Sequence, residues 1–160
     1  MKKSVGKSQA FSGLLTKVDE TKFILDRTRR HIIIDVIPCS AVRMTQRDRW
    51  FTDPNHKNED RRQRPAVTKY FAFKNKIVSE CAKTGYKLSG CIEAVFCIPM
   101  PDSWSEKKKE RMNGLPHKST PDVDNLTKAI MDSWKENDSF VWKMKAEKRW
   151  SYRGAIILFE

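Results

Sequence analysis

Three short apolar runs limit what this chain can become. HIIIDVI (31–37), CIEAVFCI (91–98) and AIILF (155–159) are rich in branched side chains, and Pro38, Pro99 and Gly154 punctuate them. Each has the length of a strand. None approaches the roughly 20 apolar residues of a membrane-spanning helix, so no such helix is expected. Between them lie segments of helical period. Tyr70, Phe73, Ile77 and Cys81 recur at three- and four-residue steps and predict a helix over 69–84, stopped by Gly85. Leu126, Ala129, Ile130 and Ser133 predict a second over 125–136 with Asp124 as N-cap, and a short one fits 103–112. Residues 139–148 alternate: Phe140, Trp142, Met144 and Ala146 point one way, and Val141, Lys143, Lys145 and Glu147 the other. A turn near 152–154 would return AIILF antiparallel to that strand. The expectation is an α/β (α+β) fold, with a mixed, partly antiparallel sheet of about four strands and two or three helices. Residues 1–30 read as a basic N-terminal extension and 31–160 as the folded domain; no signal peptide is read at the start.

The charge narrows the partner. Lys and Arg number 32 against 20 Asp and Glu, a formal net charge of +12. A domain this basic is expected to meet a polyanion, nucleic acid first among them; a basic surface kept for solubility is the alternative. Segment 43–65 reads as a long charged loop whose arginines at 43, 47, 49, 61, 62 and 64 suit phosphate contacts, unless they only solvate a surface loop. The candidate DNA contacts are Arg43, Arg47, Arg49, Lys107, Lys108 and Lys148. The four cysteines (39, 81, 91 and 97) form no CxxC pair, so reduced thiols are expected rather than a structural zinc site.

One stretch runs against the basic background. Residues 120–142 hold Lys128 and Lys135 against Asp122, Asp124, Asp132, Glu136 and Asp138. A surface made for phosphate has no use for carboxylates unless a divalent cation stands between them. Asp122 and Asp124 are two residues apart just before a helix, Lys128 follows Asp124 by four, and Asp138 lies at the start of the next strand. Hard oxygen ligands gathered this way favour Mg2+ or Mn2+, with Lys128 placed to hold charge on a phosphate. The alternative is an N-cap, an Asp124–Lys128 ion pair one turn apart and solvated acids.

The block from Ile98 to Trp134, with NDSFV after it, resembles the RusA family of Holliday junction resolvases. The specific match is PDVDNLTKAIMD, a D-x-D-N-L-x-K helix start followed by a later aspartate before a strand. The resemblance covers roughly 31–160, strongest at 98–142 and loose at 43–65. It implies that Asp122, Asp124 and Asp138 are metal-binding catalytic aspartates and Lys128 the catalytic lysine. It also implies a Mg2+-dependent endonuclease, acting as a homodimer that nicks opposed strands of a four-way DNA junction, in the cytoplasm of a bacterial or phage-infected cell. Two departures stand out: the return from Asp132 to Asp138 is shorter than is common in the family, and Asn137 stands where the first aspartate of a pair is expected. These leave open a non-catalytic DNA-binding module on the same fold, or a nuclease for other branched substrates. Asp132 is a supporting or structural candidate. His117 reads as an ordinary loop histidine, with a role as base or phosphate contact as the alternative. The PD-(D/E)xK pattern is excluded, because no D/E-x-K triplet follows Asp122.

Overall fold

A computed structural model describes residues 30–46, 48, 64–87, 89–134 and 138–159; the extension at 1–29 and most of the 43–65 loop lie outside them. In chain order the elements are β1 (His31–Ile34), α1 (Pro65–Thr84), β2 (Cys91–Pro99), α2 (Glu106–Met112) and α3 (Val123–Met131). A 3-10 turn (Asp138–Phe140), β3 (Lys143–Ser151) and β4 (Ala155–Phe159) follow. The result is an α+β fold with three helices and a mixed four-stranded sheet among the described residues.

The strand order is β1-β4-β2-β3. β4 pairs antiparallel with both β1 and β2, and β2 pairs parallel with β3 from Cys91↔Lys143 to Pro99↔Ser151. This corrects the expected hairpin: AIILF does not pair with the strand before it. Burial explains the choice. All five residues of β4 are buried, as are six of the nine in β2, and strands apolar on both faces belong in the middle of a sheet. β3 carries Lys143, Lys145, Glu147, Lys148 and Arg149, and all but one of its nine residues are exposed or half-buried, which suits an edge. Strands β3 and β4 are linked by residues 152–154, which pass the end of β2 where the Met100 N–H bonds the Ser151 carbonyl (2.9 Å). Crossing one strand spans about 10 Å, within reach of four Cα steps. Gly154 is required there, since an added Cβ would stand 2.7 Å from Ile37 Cα.

One face of the sheet carries the main core. Ala94, Phe96 and Ile98 of β2, with Ile156 and Leu158 of β4, pack against Tyr70, Phe73, Ile77 and Cys81 of α1 and against Leu126, Ala129 and Ile130 of α3. The α1 stripe is the one its spacing predicts. The helix begins four residues earlier, at Pro65, whose fixed φ suits the first turn, and Gly85 closes it at φ 70°. The α3 face is also as predicted, but the helix runs from 123 to 131 rather than 125 to 136, and Asp122, not Asp124, holds the N-cap position. The other sheet face gathers Val95, Cys97, Ala155, Ile157 and Phe159 with Ile33.

Candidate active site

The acidic motif is presented by the start of α3. Asp122 has extended backbone (φ −74°, ψ 145°), and its carbonyl accepts the Leu126 N–H (3.1 Å), while its side chain makes no capping bond. Asp124 lies in the first turn, where a negative charge meets the positive end of the helix dipole. Both are exposed, as is Lys128 one turn further on. No ion pair forms between Asp124 and Lys128, and neither carboxylate has a hydrogen-bond partner among the described residues. The simple account of the motif as a cap plus a one-turn ion pair therefore does not describe it.

A loop, residues 114–121, delivers Asp122 to that position, and it is laced to β3. The Gly114 N–H donates to the Trp150 carbonyl (2.9 Å), the Trp150 N–H to the Leu115 carbonyl (2.9 Å) and the His117 N–H to the Lys148 carbonyl (2.9 Å). The Lys148 ammonium donates to the Pro121 carbonyl (2.6 Å) and to that of Ser119. The Thr120–Pro121 peptide is cis. Behind the loop, the Trp150 ring lies between Trp104 (centroids 4.9 Å) and His117 (4.1 Å), tilted to each by more than 50°, and the Lys108 ammonium lies 3.8 Å from the Trp104 ring centre. His117 is 4% exposed and its Nδ1 has no hydrogen-bond partner among the described residues. Burial, then the Lys148 charge nearby, pushes its pKa down, and its Nε2 lies 3.4 Å from Ser119 Oγ.

Asp132 ends α3 and accepts a hydrogen bond from Tyr70 Oη (2.7 Å), tying α3 to α1. Burial, then that carboxylate, pushes the Tyr70 hydroxyl well above its ordinary pKa. Asp138 opens the 3-10 turn that leads into the Lys143 end of β3; its side chain lies outside the described residues. Lys148, beside the Asp122 loop, is five residues along that strand, about 17 Å at the usual strand rise. Up to His117 the loop runs antiparallel to β3, so it heads from the Trp150 end toward the Lys143 end, where the 3-10 turn enters. Among the described residues no three His, Cys, Asp or Glu side chains converge as a metal site.

The basic candidates divide. Arg43 and Lys107 are exposed, Lys108 is half-buried over Trp104, and Arg47 and Arg49 lie outside the described residues. Arg64 is taken up by the buried Asp48, which also accepts the Thr45 N–H (2.8 Å) and hydroxyl (2.7 Å). Lys148 is turned onto loop carbonyls. Sequence reasoning missed this inward role, although the parity of β3 signals it: Lys148 is in the same row as Ala146 and Trp150, the row that packs against the helices. All four cysteines are free, and burial pushes Cys97 up to about 12, an inert thiol. No described helix is long and apolar enough to cross a membrane.

A protein-family model described as Endodeoxyribonuclease RusA matches residues 42–158. No curated protein and no solved structure matches the chain.

Proposed function

The chain belongs to the RusA family of endodeoxyribonucleases, hydrolases that act on Holliday junctions, and from that premise we propose that it cuts four-way DNA as a Mg2+-dependent homodimer. The observation that carries the reading is the pair of unpartnered, exposed carboxylates, Asp122 and Asp124, at the start of a helix in a protein of net charge +12. Their chemistry fits a hard divalent cation, which Mn2+ also supplies: carboxylate oxygens, no competing arginine among the described residues, and an open face toward solvent. Such an ion, when bound, lowers the pKa of a water and offsets phosphate charge.

The chain's own residues do the rest. Asp122 and Asp124 hold the ion, with Asp138 as the proposed third ligand. Lys128 sets its ammonium beside the scissile phosphate, where charge builds as the bond breaks. Arg43, Lys107 and the arginines at 47, 49, 61 and 62 grip phosphates along the junction arms, which makes binding steeply salt-dependent. A two-fold protein suits a near-two-fold junction and yields paired nicks. The deciding experiment is cleavage of a synthetic four-way junction with Mg2+ titrated from zero. Asp122→Asn is expected to lose at least about a hundredfold in rate while still binding the junction. Cutting by that variant at the parent rate would overturn the assignment.

A further inference from the structure

We propose that Lys148 is a positioning residue for the nuclease site, a clamp that holds the loop before Asp122 so that the Asp122–Asp124 pair is set before metal or DNA arrives. The inference rests on the nuclease reading above and assigns Lys148 to the loop rather than to DNA phosphate.

Three observations carry it. First, the side chain leaves β3 in the inward row shared with Ala146 and Trp150, so its aliphatic stem runs along packed side chains and its ammonium emerges under the loop. Second, two ammonium donors are spent on the carbonyls of Ser119 and Pro121, the second of which belongs to the peptide that begins Asp122. A charged donor to a carbonyl is among the stronger hydrogen bonds, and these acceptors belong to a loop without regular structure of its own. Third, the backbone of the same residue accepts the His117 N–H, and Trp150, two residues on, exchanges bonds with Gly114 and Leu115. The tethers thus come from three residues of β3, Arg149 donating to the Gly114 carbonyl (3.0 Å) among them, and fall on residues 114, 115, 117, 119 and 121 of the loop. The last two depend wholly on the Lys148 side chain. Without it the ordered path would stop at His117, five residues short of Asp122.

A phosphate contact and a loop clamp make different predictions. In Lys148→Met, amide hydrogen exchange of the metal-free protein should speed up at least about tenfold at His117 and Leu126, whose N–H bonds flank the clamped stretch, while β2 stays protected. The Mg2+ concentration for half-maximal cleavage should rise about tenfold, the usual scale for losing a residue that orients a metal ligand. Lys148→Arg, which keeps charge and donors, should recover most of that shift. The salt dependence of junction binding should be unchanged, whereas losing a phosphate contact would cut its slope by about 0.9. A reduced slope with exchange and Mg2+ response left as in the parent would overturn the clamp. If Lys148→Met does not fold, the 15Nζ signal of Lys148 in the parent protein, assigned by its absence in Lys148→Arg, decides instead. It should stay in place when a junction is added without metal; a shift marking direct phosphate contact overturns the proposal. Absence of Mg2+-dependent cleavage in the parent would remove the nuclease reading, while the exchange measurement would still judge the clamp.

Discussion

Asp48 shows how much one buried acid can commit a chain to. It is 2% exposed, and Arg64, with the hydroxyl and N–H of Thr45, holds its carboxyl well below the ordinary value of 3.8. A carboxyl depressed on folding adds stability that is complete above its unfolded value and is lost as pH falls from about 5 downward. His117 titrates in a different window. Its lowered pKa means the unfolded chain takes a proton first, so its contribution fades as pH falls below about 6.5. Urea midpoints measured against pH should therefore drop in two stages. Asp48→Asn should unfold more easily than the parent at pH 7 and lose the lower stage. Neither role is visible from residue type alone. Asp48 sits in a run of mixed charges, and only the fold decides which arginine it meets and which stay free.

At the level of elements, the pieces that bury a periodic face were legible and the pairings were not. The α1 stripe and the α3 face follow from spacing, because a helix must turn its apolar row inward whatever it packs on. The partner of β4 did not follow, because strand neighbours depend on how many faces each strand must hide, and a short turn suggests a hairpin without compelling one. Likewise the D-x-D spacing placed Asp122 and Asp124 at a helix start, whereas the loop ties behind them rest on contacts 27 or more residues apart. The two glycines that shape these elements should respond differently to a methyl group. At Gly85 the Cβ meets nothing within 4 Å, so Gly85→Ala should cost only about 1 kcal/mol for the left-handed backbone. At Gly154 it would meet the Ile37 backbone, so Gly154→Ala should cost about 1–3 kcal/mol or more, read from chemical unfolding.

For the molecule as a whole, the feature to test is whether Asp138 of the same chain or of a second copy completes the site. Asp122 follows the loop tied to Lys148, and Asp138 opens the turn before Lys143 of the same strand. Mixing Asp122→Asn with Asp138→Asn protein distinguishes these. With all three carboxylates on one chain, each variant alone and the mixture are expected to stay silent; a mixture that nicks one strand would mean that the partner copy supplies the third carboxylate. The sheet order has a consequence for biosynthesis as well. β1 and β2 are joined only through β4, so a nascent chain emerging from the ribosome holds a β2–β3 pair and an unpaired β1 until residue 159 is clear of the exit tunnel. Until then the hydrophobic edges of β1 and β2 stay open to chaperones.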